Sequence, residues 1–85
     1  SFVKTQEGSE LAKYPGSKVT HGVNGKGSVL LGWGRGTILF EKDMETGEVT
    51  FSDPDSAKNP NISQLLINRA KEIYALHQAK ENGQS

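Results

Sequence analysis

The amino-acid sequence predicts an α+β fold, with an antiparallel sheet of about four short strands packed against one C-terminal helix. Two hairpin signals predict the sheet, namely the dipeptide Asn24-Gly25 and the polar segment 43–47. A wide arc of apolar side chains over residues 60–80 predicts the helix, because residues three or four apart share one helical face. The chain has 85 residues and no internal repeat, so we expect one domain.

The segment before the sheet, residues 1–16, is expected to be irregular or to contain a short helix. Its apolar residues are scattered, and Ser9 is suited to cap one helical turn before Pro15-Gly16 ends it. The sheet is then expected over residues 17–52.

The first hairpin is expected to turn at Asn24-Gly25, because both residues tolerate the positive φ of a two-residue turn. A two-residue turn would pair His21 with Ser28 and place Lys26 on the same face of the sheet. The two strands are expected over residues 18–23 and 28–31.

The segment after the first hairpin is rich in glycine. Residues 16–37 contain seven of the ten glycines in the chain, and glycine in a strand marks a turn, a bulge or the close approach of another molecule. Three of these glycines alternate with Trp33, Arg35 and Thr37, so we expect an extended segment with these side chains on one face. The composition is more typical of a functional site than of a core.

The second hairpin is expected over residues 37–41 and 48–52, around a turn in which Gly47 takes the left-handed conformation. Its apolar residues recur with period two, which is the spacing of one strand face. The residues expected to face the core are Ile38, Phe40, Val49 and Phe51.

The helix is expected to begin near Asn59 or Asn61 and to run to about residue 80, followed by a frayed tail at 81–85. Arg69 and His77 interrupt its apolar arc. Burying an unpaired guanidinium is costly, so Arg69 either extends to solvent, pairs with an acid such as Asp53 or Asp55, or points into a site. His77 is expected to be half-exposed near the helix end, where a positive charge suits the helix dipole. The apolar arc comprises Ile62, Leu65, Leu66, Ile67, Ala70, Ile73, Tyr74 and Leu76.

Composition excludes several classes of protein. The chain lacks cysteine, so it has no disulfide and no cysteine-based zinc site, and no cluster of acids or histidines suggests a metal or another cofactor. Ten basic and ten acidic residues cancel, which argues against a protein that coats DNA through a high positive charge. No apolar run approaches the ~20 residues of a membrane span. Because the sequence starts at Ser1 and not at methionine, we expect it to be a piece of a longer protein.

The candidate catalytic residues are His21, Lys26, Arg35 and Thr37. Histidine has an unperturbed pKa of ~6.5, which suits a general base or acid, and the cations would stabilise charge developing on a phosphate. Attack of a ribose hydroxyl on the adjacent phosphate needs these groups and no metal. The alternative is that His21 is a surface residue of its strand with no catalytic role.

The candidate nucleic-acid-binding residues are Lys18, Ser28, Trp33 and Arg69. Trp33 would stack on a base, and the neighbouring Arg35 would hold a phosphate or a guanine edge. The alternative is that Trp33, the only tryptophan, belongs to the core and that the glycines make room for its ring. The sequence GKGS around Lys26 lacks the spacing of a phosphate-binding P-loop.

The domain size, the glycine-rich sheet and the strand element Lys18-Val19-Thr20-His21 resemble the small C-terminal nuclease domains of bacterial polymorphic and contact-dependent inhibition toxins. They also resemble tRNA-cleaving colicin domains. The resemblance implies a metal-independent RNase that acts on RNA, including tRNA, in the cytoplasm of a target bacterium. It further implies a cognate immunity protein and a host translation factor as a helper.

The leading hypothesis is therefore an RNase-type toxin domain with His21 as general acid or base. A second hypothesis is a non-catalytic module that binds single-stranded nucleic acid or a protein through the sheet face with Trp33 and Arg35. A third is a phage-type or plasmid-type inhibitor that covers the active site of another protein, for which a neutral charge is no handicap.

Overall fold

The computed structural model, which describes residues 11–82, contains a four-stranded antiparallel sheet in the order β1-β2-β3-β4. A long helix, α1 (Pro60–Asn82), follows the last strand and contacts all four strands from one side. The fold class predicted from the two hairpin signals and the apolar arc is therefore confirmed. The strands are β1 (Lys18–His21), β2 (Lys26–Leu30), β3 (Thr37–Lys42) and β4 (Val49–Ser52).

The core lies between the sheet and α1. On the sheet side, the period-two prediction for the second hairpin is correct, since Ile38 and Phe40 are buried and Val49 and Phe51 pack against them half-buried. The fully buried apolar set comprises Val29, Leu31, Ile38 and Phe40 from the sheet side together with Ala70 and Ile73 from the helix.

The buried face of α1 is narrower than its apolar arc. Ser63, Ala70 and Ile73 are buried, whereas Ile62 and Leu65 are 46% and 64% exposed. The helix begins at Pro60, within the expected range, and ends at Asn82, two residues later than expected. No helix among the described residues has both the length and the apolar character needed to cross a membrane.

The first hairpin differs from the expected two-residue turn. Asn24 and Gly25 do adopt positive φ, at 56° and 80°, but Val23 joins them in a 3₁₀ turn, and the Gly22 N–H donates to the Lys26 carbonyl at 2.6 Å. His21 consequently pairs with Gly27 and not with Ser28. A register change of one residue moves the side chains of one strand to the other face relative to its partner. Lys26 and Ser28 therefore share a face as expected, but the expectation that His21 shares it with them is wrong.

The glycine-rich segment 32–36 is a turn and not the expected extended segment. Its three glycines have positive φ, at 143°, 71° and 100°, and the Arg35 N–H donates to the Gly32 carbonyl at 3.2 Å. The Leu31 N–H then donates to the Gly36 carbonyl at 3.0 Å and closes the loop. Alternating glycines imitate the period of a strand, but their left-handed backbone reverses the chain.

The segment before β1 ends in a turn in which the Ser17 N–H donates to the Tyr14 carbonyl at 3.1 Å. Gly16 has φ 81° in this turn, so Pro15-Gly16 acts as the expected breaker. Ser9 itself lies outside the described residues, as does most of the expected frayed tail. Of the short helical turn expected before Pro15, residues 11–14 are described, and there the Tyr14 N–H donates to the Leu11 carbonyl at 3.0 Å.

Candidate functional site

The sheet face that turns away from α1, here called the open face, is mainly polar. Its residues alternate along each strand with those buried under the helix, so the strand pairing defines its rows. One row contains Lys18, Leu30 and Thr37, the next contains Thr20, Ser28, Leu39 and Ser52, and the last contains Lys26, Glu41 and Thr50.

The charges on the open face are mainly positive although the whole chain is neutral. Lys18 and Lys26 are exposed at its two ends, and Glu41 is the one acid that the described strands place on this face. Lys26 lies opposite Glu41 in the register, yet no ion pair joins them within the described residues. Both ammonium groups are thus available to a ligand.

A shallow groove of about 460 Å³ runs over the open face between β2, β3 and β4. Lys26, Glu41, Thr50 and Ser52 supply its polar groups, and the 44%-exposed Leu39 supplies apolar surface. The sequence analysis did not name Thr50 and Ser52. Their alternation with the core-facing Val49 and Phe51 is the signal that would have identified them.

Trp33 is held on the surface by the 32–36 loop. Its side chain is 77% exposed, so the alternative prediction of a core tryptophan is wrong. The indole ring lies against Gly16, where an added Cβ would be only 2.7 Å from two ring atoms. One glycine thus supports the ring from below and leaves much of its surface to solvent.

Arg35 lies in the same loop and is exposed. Together with Thr37, it lines a depression of about 240 Å³ between the 32–36 loop, the 53–59 loop and the start of α1. Asp53 and Asp55, from the 53–59 loop, line the same depression. The Asp55 N–H donates to Asp53 Oδ1 at 2.9 Å, which fixes the first carboxylate. From the sequence, these two aspartates were considered only as partners of Arg69, because their proximity to Arg35 arises only in the folded chain.

His21 lies on the helix-facing side of the sheet, separated by the sheet from Lys26 and Thr37. Its ring makes edge contacts with Phe40 and Tyr74, at centroid distances of 5.8 and 6.5 Å. It lies at the end of β1 next to the first hairpin loop, about 10 Å along the strand from the row that contains Thr37. The structure therefore does not bring the four candidate catalytic residues together.

Arg69, the remaining candidate, is half-buried on α1. It makes no ion pair with Asp53 or Asp55, so the pairing considered for it from the sequence does not form. The depression that both aspartates line is bordered by Arg35 and not by Arg69. The other binding candidates lie on the open face, as Lys18 and Ser28 do, or in the 32–36 loop, as Trp33 does. Arg69 lies on neither.

His77 is half-buried, and its Nε2 lies 3.4 Å from the hydroxyl of Ser17. Burial lowers the pKa of His77, the charge of Lys80 lowers it further, and Glu81 opposes both. His77 is thus half-exposed near the helix end, as expected, and its partial burial makes the charged form less favourable. Among residues 11–82, no group of three or more histidine or acidic side chains is placed to hold a metal ion.

Comparison with known proteins adds no assignment to this surface. The chain has no significant match to any protein-family model, curated protein or solved structure. The function must therefore be inferred from the geometry of the open face and the loops that border it.

Proposed function

We propose that the protein binds single-stranded RNA without cleaving it, through the open face and the 32–36 loop. The observation that carries the proposal is the exposed indole of Trp33, which lies against Gly16. Gly16 is two residues before Lys18, the first residue of β1. An exposed aromatic ring together with exposed cations is the usual arrangement for stacking a base while holding its phosphate.

Each part of the surface has a role in this proposal. Trp33 stacks on a base, Lys18, Lys26 and Arg35 hold phosphates, and the hydroxyl of Ser28 donates a hydrogen bond to sugar or phosphate oxygens. The neutral net charge of the chain is compatible with this role, because the described strands place Lys18 and Lys26 on the open face with only one acid, Glu41. The single-stranded ends and loops of tRNA are among the RNAs that fit.

The first test measures the affinity of a labelled single-stranded RNA by fluorescence anisotropy. Trp33→Ala should weaken binding by ~1–3 kcal/mol, because a stacked base is lost. The free energy of unfolding should change little, since the side chain is 77% exposed. Met44→Ala is the matched control, because Met44 is 72% exposed in the loop at the other end of the sheet. Equal affinities for wild type and Trp33→Ala would contradict the proposal.

A salt titration tests whether the cations of this surface bind phosphates. Three phosphate contacts predict that the logarithm of the association constant falls with a slope of about −2 against the logarithm of salt concentration. Lys18→Ala should make this slope shallower by about 0.7, whereas Lys71→Ala, on the exposed side of α1, should leave it unchanged. A slope near zero for the wild type would exclude phosphate binding.

The RNase toxin remains a second candidate, because His21 is exposed and its ring contacts leave both nitrogens available within the described residues. In that case the wild type should cleave RNA, including in EDTA, and His21→Ala should abolish cleavage, with growth inhibition relieved by a cognate immunity protein. In the binding proposal, the wild type leaves RNA intact and His21→Ala retains full affinity. Incubation of both proteins with total cellular RNA and host extract, followed by gel analysis, separates the two.

A further inference from the structure

The depression beside Arg35 carries opposite charges that do not neutralise each other. Arg35 from the 32–36 loop and Asp53 and Asp55 from the 53–59 loop line it together, yet no ion pair joins them within the described residues. Leu66 supplies an apolar wall. At about 240 Å³, the volume is below the ~300–1,000 Å³ of sites for drug-sized ligands, which suits one planar base.

We propose that this depression is a specificity site for a guanine base, an inference that rests on the proposed RNA binding. Guanine presents two acceptors, O6 and N7, on one edge, and an arginine fork donates to both. Its neighbouring edge presents two donors, N1–H and the 2-amino group, and a carboxylate accepts from both. A site lined by both a guanidinium and a carboxylate, each from its own loop, supplies a partner for each of these two edges.

The other bases match this arrangement less well. Adenine has no second acceptor beside N7 and offers its amino group in that place, which would face the Arg35 donors. Cytosine and uracil each present one donor position to the carboxylate where guanine presents two. The carboxylate of Asp55 is the group available for the donor edge, because one oxygen of Asp53 already accepts from the Asp55 N–H. Trp33 does not line the depression, so it is left to stack on the next base.

The test compares heptamer RNAs of uridine that carry one central guanosine, adenosine or cytidine, with affinity measured by fluorescence anisotropy. The guanosine heptamer should bind between about five- and a hundredfold more tightly than the others. Inosine, which lacks the 2-amino group, and 7-deazaguanosine, which lacks N7, should each lose part of that advantage.

Two variants test which side chain contacts which edge of guanine. Asp55→Asn should bind the inosine and guanosine heptamers equally, and Arg35→Lys should bind the 7-deazaguanosine and guanosine heptamers equally, because lysine lacks the fork. Glu45→Gln, an acid in the exposed loop after β3, is the control and should keep both preferences. Neither Asp55 nor Arg35 is in the core, and circular dichroism should show both variants folded.

The outcomes separate this inference from the proposed function. Equal affinity for all heptamers, with Trp33→Ala still weakening binding, overturns the guanine site and leaves RNA binding in place. Tight binding of guanosine monophosphate with no added affinity for any heptamer supports the guanine site and overturns strand binding. A preference for cytidine or adenosine, or no binding of any probe, overturns the inference.

Discussion

At the scale of single residues, Gly16 determines how Trp33 is presented. The indole occupies the space in which any other residue at position 16 would hold its Cβ, and the φ of 81° also favours glycine. A flat ring supported by backbone loses little conformational freedom when a base stacks on it. The exposure of Trp33 is therefore a fixed feature of this fold.

The pKa of His77 predicts a pH dependence of stability. Its folded-state pKa lies below the 6.5 of the unfolded chain, because burial and the charge of Lys80 disfavour the imidazolium. The contribution of neutral His77 to the free energy of unfolding is fully present above pH ~6.5. It is lost as pH falls from there through the folded-state pKa, because the unfolded chain binds the proton at a higher pH than the folded chain does. Urea unfolding of wild type and His77→Gln between pH 7.5 and 5 should show a steeper loss for the wild type. Parallel pH profiles for the two proteins would show that His77 does not contribute to the pH dependence of stability.

Residue types in the sequence indicate individual candidate residues, but not which of them lie together in the fold. Lys18, Lys26, Ser28 and Thr37 share the open face, and Trp33 and Arg35 border it. What the sequence does not contain is the identity of long-range neighbours. Gly16 lies seventeen residues before the ring that it supports, and Asp55 lies twenty residues after the arginine that it faces.

At the scale of secondary-structure elements, Gly27 in β2 is a steric requirement of the first hairpin. An added Cβ would collide with the ring of Phe40, in the paired strand, and with the carbonyl oxygen of Thr20 on the other side. Gly27→Ala should therefore destabilise the fold by about 1–3 kcal/mol, as overpacking does. Gly47→Ala is the control, because it has φ 81° but open space around it and should cost only ~1 kcal/mol of backbone strain. Urea unfolding of both variants checks the order, and a Gly27→Ala protein as stable as the wild type would contradict the contact.

Strands and helices with a clear hydrophobic period were predictable from the sequence. The conformation of a turn whose residues tolerate several backbone conformations was not. The turn of the second hairpin has one well-defined conformation, because Asp43 Oδ1 accepts from the Glu45 and Thr46 N–H groups and Gly47 takes positive φ. Asn24-Gly25 fits both a two-residue turn and the longer turn that forms. The choice between them reverses the face of His21, which is why the catalytic grouping was wrong while the strands were nearly right.

At the scale of the whole molecule, stability depends on the contact between α1 and the sheet. Ile73 is fully buried there, so Ile73→Ala should lower the free energy of unfolding by about 2–5 kcal/mol. Leu65→Ala, at a site that is 64% exposed on the same helix, should cost far less. Denaturant unfolding followed by circular dichroism measures both. Equal losses would mean that the helix docks through a different face.

The fold class was predictable because both layers have clear periodicity, but the rotation of the helix was not. The apolar arc is wide enough to pack in several orientations, and the short strands cover only part of it. The sheet selects the strip with Ala70 and Ile73 and leaves Ile62 and Leu65 exposed. An arc broader than the surface beneath it does not define a unique docking angle.

The meander order has a kinetic consequence. Each strand pairs only with its neighbour along the chain, so each step of sheet assembly closes a short loop with a small loss of chain entropy. Contacts of low sequence separation favour rapid folding, and no strand has to wait for a distant partner. The sheet can thus nucleate at either hairpin, and α1, which is synthesised after the four strands, meets a surface that is already assembling.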